Sequence, residues 1–184
     1  MLRIFLATIC IAIASSVLYY SHSMANTMRR DMPINISYHD LAESTKKEID
    51  CLAENIYFES AHEPTTGKIG VAFVTINRTK SDWFPDSICS VVKQRTKNVC
   101  QFSWYCESGP KQKSANKVLT KTNNSLYNDI RELAVNVYMN HEKMKDPTKG
   151  ALFYHADYVN PRWPNMERTA VIGRHIFYNK RGLA

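Results

Sequence analysis

The sequence predicts an α+β domain, predominantly α, with a minor β element. Three observations lead there. At 184 residues the chain is long enough for one domain with a sizeable core and too short for two. Apolar residues recur at helical spacing in successive stretches between Asp40 and Val137. β-Favouring apolar segments are confined to the chain beyond Gly150, at residues 151–155 and 170–178. An apolar content of 44% with 22% charged residues is ordinary for a globular protein and excludes disorder of the whole.

The N-terminal stretch differs from the rest. Residues 1–25 read as a secretory signal: Arg3 precedes an apolar run over residues 4–20, and Ser23-Met24-Ala25 offers small residues for cleavage after Ala25. The alternative is an N-terminal membrane anchor with Tyr19 and Tyr20 at the interface. Residues 26–37 read as a linker, and the folded domain as residues 38–184. A first helix is expected over residues 40–60, with Leu41, Ile49, Leu52, Ala53 and Ile56 facing inward. After Pro64, Thr65 or Thr66 can cap a second helix in which Ile69, Ala72, Phe73 and Ile76 share a face, and Asn77 and Arg78 close it. Gly67 and Gly70 permit another backbone to approach. A turn-rich loop at residues 82–86 leads to a short helix over residues 88–94.

Residues 111–124 are basic and read as a surface loop. Ser125 can then cap a third long helix, with Leu126, Ile130, Leu133 and Val137 on one face. Residues 146–150 form a turn, residues 151–155 an extended segment, and Pro161 and Pro164 mark a loop around Trp163.

Cysteine usage agrees with export. Cys10 lies in the signal, leaving Cys51, Cys89, Cys100 and Cys106, an even number suited to an oxidising compartment. Of the three pairings, Cys100 with Cys106 closes a tight loop and Cys51 with Cys89 ties the first helix to a later segment. No C-x-x-C pair supports a four-cysteine zinc site. The formal net charge is +7; loss of residues 1–25 removes one basic residue and no acidic one, leaving +6. Outside the cytoplasm such a surface suits an anionic envelope polymer better than nucleic acid.

The candidate chemistry centres on residues 52–64. Leu52, Ile56 and Glu59 are spaced four and three apart and share a helix face, so a carboxyl lies on an apolar stripe. Burial raises a carboxyl pKa, which lets the group hold a proton to donate near neutral pH. Glu63 falls one turn beyond Glu59 and is expected to end the same helical face, before Pro64 stops it. The segment 100–106 joins hydrogen-bonding groups, Gln101, Ser103 and the Trp104 indole N–H, to the flat rings of Phe102, Trp104 and Tyr105. That mixture matches a sugar, with its apolar ring face and polar rim.

Taken together, Ile56-Tyr57-Phe58-Glu59, Glu63-Pro64, Gly67 through Asn77-Arg78, Phe84-Pro85-Asp86, Gln101-Phe102-Ser103-Trp104, Pro147-Thr148, Gly150 through His155 and Ile172 through Tyr178 resemble, in order, the SleB-like cell wall hydrolases. The resemblance implies a lysozyme-like fold and cleavage of peptidoglycan glycan strands, typically by lytic transglycosylation. It places the catalytic acid at Glu59. Tyr154 and His155 are expected to line the glycan groove with Glu63 and residues 101–104. Where the family carries Ala-Arg-Gly between its two acids, this chain has Ser60-Ala61-His62.

The reading implies no cofactor and no metal, a monomer acting on peptidoglycan, and export to the periplasm or beyond. Residues 4–20 offer transient membrane association before release. Three alternatives stand beside it. A muramidase would need two carboxyls. A zinc amidase would need ligands such as H-E-x-x-H, but His62-Glu63 is followed by Pro64-Thr65-Thr66. A binder would hold the wall without cutting it.

Overall fold

Ile49, Leu52, Ala53 and Ile56 form the fully buried stripe of helix α1 (Glu43–Ser60). The structure, a computed structural model, describes residues 15–16, 36–97, 99–106 and 125–182. Contacts divide the chain into units Met1–Ile34 and Asn35–Ala184, and every element named below belongs to the second. All of the expected signal but residues 15–16, most of the linker and the basic loop at 111–124 lie outside the described residues. Among the described residues no helix is long and apolar enough to cross a membrane.

Helix α1 starts later than residue 40. A 3-10 turn, Tyr38–Asp40, is capped by Ser37, and Leu41 and Ala42 are extended before the helix begins. It also ends before Glu63. Ser60 Oγ donates to Ile56 O at 2.9 Å, and the Glu63 N–H donates to Ser60 O in a turn that leaves the helix. Pro64 disfavours helical backbone in the residue before it. Glu63 is therefore not on the helix that carries Glu59, contrary to expectation.

Helix α2 (Thr65–Thr79) has Pro64 as its N-cap, with no side-chain cap from Thr65 or Thr66. Proline suits a helix start because its missing N–H would have no partner there. The Pro64 carbonyl accepts from Gly67 N and Lys68 N. Further along, a Cβ on Gly70 would lie 2.9 Å from Phe177 Cζ, so this glycine allows the helix to meet the sheet.

Ser87 caps the short α3 (Ile88–Val92), accepting from Ser90 N. A small hairpin, β1 (Arg95–Thr96) with β2 (Val99–Cys100), comes next. A single helical turn, α4 (Ser103–Cys106), then lies within the loop that the Cys100–Cys106 pair closes. Helix α5 (Ser125–Asn140) buries Ile130, Ala134 and Val137 against α1, with Leu126 and Leu133 partly buried beside them.

The minor β element is an antiparallel sheet of β3 (Phe153–Ala156), β4 (Met166–Ile172) and β5 (His175–Lys180), in the order β3-β5-β4. Residues 170–178, a single apolar run in the sequence, fold as the hairpin between β4 and β5. Gly173 makes the turn at φ 57°, a left-handed conformation that favours glycine.

The main core joins α1 to α2, α3 and α5, while Val74, Ala151 and Phe177 form a smaller cluster between α2 and the sheet. Cys51 pairs with Cys89 and Cys100 with Cys106, at Cα separations of 5.2 and 5.7 Å. The first bridge joins α1 to α3 eight residues before Glu59. Closing a loop of that sequence separation stabilises the fold by about 4 kcal/mol in the chain-entropy account.

Candidate active site

Glu59 occupies the last turn of α1, on the face that carries Leu52 and Ile56 into the core. Burial raises its pKa above the usual carboxyl range, while a hydrogen bond from Tyr154 and the charge of Arg78 oppose that rise. The Tyr154 hydroxyl donates to Glu59 Oε2 at 3.0 Å. Burial, and the nearby Glu59 charge, push the phenol well above its ordinary range, so Tyr154 stays protonated and serves as a donor.

Tyr154 reaches Glu59 because β3 alternates. Tyr154 pairs with Phe177 and Ala156 with His175, and these four share the inward face. Phe153 and His155 take the other face. His155 stacks on Tyr178 at 5.2 Å, meets Trp163 edge-on, and its Nε2 lies 3.1 Å from the Tyr178 hydroxyl. Its Nδ1 is 2.9 Å from Ala156 O, a carbonyl that can only accept, so Nδ1 carries the proton. Tyr154 and His155, expected in one groove, are on opposite faces of the strand.

Arg78 comes from the end of α2. It is 3% exposed, and its Nε donates to Leu152 O at 2.8 Å. Phe84, Phe102 and Phe153 surround the guanidinium, with ring centroids 4.9, 5.2 and 5.9 Å from its central carbon. Burial pushes its pKa down to about 10, against the pull of Tyr154 and Glu59, so it is cationic at neutral pH.

On the other side of Glu59, Trp104 stacks on Phe58 with centroids 4.5 Å apart. Its indole N–H donates to Asn55 Oδ1 at 3.2 Å, and Asn55 Nδ2 donates to Thr75 Oγ1. Asn55 is fully buried and one turn before Glu59, so Trp104 is fixed within a turn of the acid. The indole N–H, expected to face a ligand, is used inward. Phe102 is 4% exposed beneath Arg78 and is a core ring, not a sugar platform. Gln101 and Ser103 are exposed beside Trp104.

Glu63 serves the hairpin. Its Oε2 accepts from Arg174 N at 2.9 Å, and a Cβ on Gly173 would collide with that same oxygen. Asn55 and Arg78 were the residues sequence reasoning did not assign to the site. The signal for Asn55 was its i−4 spacing from Glu59, whereas Arg78 read as an ordinary helix end. Among the described residues no group of three or more His, Cys, Asp or Glu side chains is placed to hold a metal ion. A separate cleft of about 360 Å³ lies by Asn77, Trp83 and Asn179, where the carboxylate is the exposed Asp82.

The family model of cell wall hydrolases matches residues 62–178, a span that begins just after Glu59 and contains Arg78, Trp104 and Tyr154. The chain belongs to the cell wall hydrolase family. The spore cortex-lytic enzyme of Halalkalibacterium halodurans is 26% identical over 137 residues, covering 72% of this chain. The chain spans about a third of that curated relative, 34% of its length. Among solved structures, this cell wall hydrolase is similar to the catalytic domain of the germination-specific lytic transglycosylase SleB from Bacillus anthracis. The TM-score is 0.51 at 25% identity, covering 76% of this chain and 98% of that one. The catalytic domain of the Bacillus cereus SleB protein gives 0.50 at 24%, covering 81% and 96%. The helix-dominated, lysozyme-like fold is thus shared.

Proposed function

We propose that this cell wall hydrolase cleaves peptidoglycan glycan strands at the bond between N-acetylmuramic acid and N-acetylglucosamine, as a lytic transglycosylase with Glu59 as its single acid and base. One observation carries the reading. Glu59 is a half-buried carboxyl whose pKa is raised by burial and which accepts from a phenol, while the next acid in sequence, Glu63, is committed to the Arg174 amide. A hydrolase of the usual kind needs a second carboxyl across the scissile bond. A transglycosylase does not.

Protonated Glu59 gives its proton to the bridging oxygen as the muramyl C1–O bond breaks, and the glucosamine O4 leaves as a hydroxyl. Glu59, now a carboxylate with the Tyr154 hydroxyl bound to it, takes the proton from the muramyl O6 hydroxyl. O6 then bonds to C1, closing a 1,6-anhydro ring and returning the proton to Glu59. Atoms and charge balance with no added water. The exposed parts of Trp104, with Gln101 and Ser103, form the wall on which a sugar ring rests. The net positive charge supports binding to an anionic wall, and cysteine pairing supports work in an oxidising compartment outside the cytoplasm.

Mass spectrometry of purified sacculi after digestion tests the reading. Anhydro-muramyl ends are expected. Reducing muramyl ends would replace it with a muramidase, released stem peptides with an amidase, and intact sacculi with a binder.

A further inference from the structure

A buried cation with no carboxylate in contact is expensive to keep, and Arg78 is one. It is 3% exposed, and among the described residues no carboxylate lies within ion-pair distance of it. Its Nη1 has no hydrogen-bond acceptor among them. Aromatic faces and one carbonyl hold it instead. That carbonyl is Leu152 O, and the preceding one, Ala151 O, accepts from Asn77 Nδ2 at 3.2 Å. The end of α2 thus clamps the two residues that lead into β3, whose second residue is Tyr154. A charge left without a local counterion acts further into a medium of low dielectric.

We propose that Arg78 is a positioning residue for the Glu59–Tyr154 pair: it fixes the entry of the strand that presents Tyr154 and supplies the positive field in which the Glu59 carboxylate forms. This rests on the transglycosylase reading for its role in catalysis, but not for its electrostatics. The groups that act on Glu59 are Tyr154 from β3 and Arg78 from α2, and those that act on Arg78 are Tyr154 and Glu59 in return. Glu59 must both give and take a proton, so its affinity for one has to be held between extremes. Burial alone raises that affinity. The Arg78 field opposes that and favours the carboxylate left after the first proton transfer.

The test follows the Glu59 carboxyl by carbon-13 NMR across pH in the wild type, Arg78→Met and Arg78→Lys. Methionine fills the aromatic box without a charge. The Glu59 midpoint is expected to move up by about one pH unit in Arg78→Met and to stay near the wild-type value in Arg78→Lys. On sacculi, Arg78→Met should lower kcat by roughly tenfold to a hundredfold at little-changed KM. A folded Arg78→Met with the wild-type midpoint would overturn the proposal and leave Arg78 a packing residue. If that variant does not fold, the wild-type Arg78 Nε–H resonance decides. It should titrate with the Glu59 midpoint and lose that inflection in Glu59→Gln; an Arg78 signal blind to Glu59 would equally overturn it. A midpoint that moves in a protein releasing no anhydro product would keep Arg78's electrostatic role and remove the transglycosylase reading.

Discussion

The hydroxyl of Tyr154 donates to the carboxyl of Glu59 at 3.0 Å across 95 positions of sequence. A helix end and an edge strand meet there, each brought by its own buried face. The proton affinity of Glu59 is consequently a tertiary property: the core beneath α1 raises it, and a strand from the far end of the chain restrains it.

Replacing Tyr154 by Phe removes the hydrogen bond and keeps the ring against Phe177 and His175. The Glu59 pKa is expected to rise further, because the lost bond favoured the carboxylate. Activity of an enzyme that needs protonated Glu59 falls as pH rises through that pKa, so the alkaline limb of kcat/KM should move to higher pH. At the optimum, kcat should drop by roughly tenfold to a hundredfold, since the carboxylate formed on proton transfer has lost its donor. A pH–rate profile on sacculi, beside the wild type, checks both.

Glu59→Gln should abolish glycan cleavage and, at neutral pH, leave the fold as stable as the wild type or more so. The sign follows from the raised pKa. The folded state binds the proton more tightly than the unfolded one, so the wild type is favoured below the unfolded carboxyl range and loses that advantage as pH rises through the folded pKa. Glutamine does not ionise. Thermal melting of both proteins across pH should therefore show the variant gaining relative to the wild type as pH rises over this window.

The helices were legible because their buried stripes repeat with the helical period: Ile49, Leu52 and Ile56 in α1, and Ile130 and Val137 in α5. Glu59 was legible for the same reason, as a carboxyl on such a stripe. Where the sequence misled, a contact distant in the chain decided. Glu63 continues the spacing of Glu59, yet its carboxyl is taken by the Arg174 amide 111 positions later. Tyr154 and His155 are neighbours in sequence and for that reason opposite in a strand. The flat ring of Phe102 looked available to a sugar, but the buried guanidinium of Arg78 covers it. Periodicity reports which face is buried, and not which polar group waits on the other side.

Gly173→Ala should destabilise the hairpin that Glu63 closes. Its φ of 57° disfavours a side chain, and the added methyl would meet Glu63 Oε2. A loss of about 1–3 kcal/mol is expected by chemical denaturation, from backbone strain and a displaced carboxylate hydrogen bond. Glu63→Gln should be far milder, because an amide oxygen can still accept from Arg174 N. A Glu63→Gln that lost all cleavage while melting like the wild type would give Glu63 a direct part in catalysis.

Removing the Cys51–Cys89 bridge by a double substitution to alanine should lower stability by about 4 kcal/mol or less, with less effect from removing Cys100–Cys106, whose loop is much shorter. The two bridges should also differ in function. Cys51 lies in the buried body of α1, so its loss is a matter of global unfolding. Cys100–Cys106 encloses Trp104, so its loss should raise KM on glycan at temperatures where the protein is still folded. Melting and steady-state kinetics on the two double variants separate these effects.

Trp104, the proposed wall for a sugar ring, is held by a residue that faces away from solvent. Asn55 accepts the indole N–H and donates to Thr75, whose hydroxyl donates to Val71 O, so a buried polar chain runs from α2 through α1 to the Trp104 ring. Asn55→Leu replaces the amide with an apolar group of similar size and leaves the indole N–H without its acceptor, while Thr75 Oγ1 loses one donor and keeps its bond to Val71 O. An unpaired donor of this kind costs about 1–3 kcal/mol when it is kept from water. The indole then gains by turning its N–H toward water, which unseats it from Phe58. Substrate affinity should fall, with KM up by roughly fivefold to tenfold, while the Glu59 midpoint is little changed because Tyr154 and Arg78 are untouched. Trp104→Ala should weaken binding at least as much. If Asn55→Leu bound glycan normally and lost only kcat, the ring held by Asn55 would be acting on the acid rather than on the sugar.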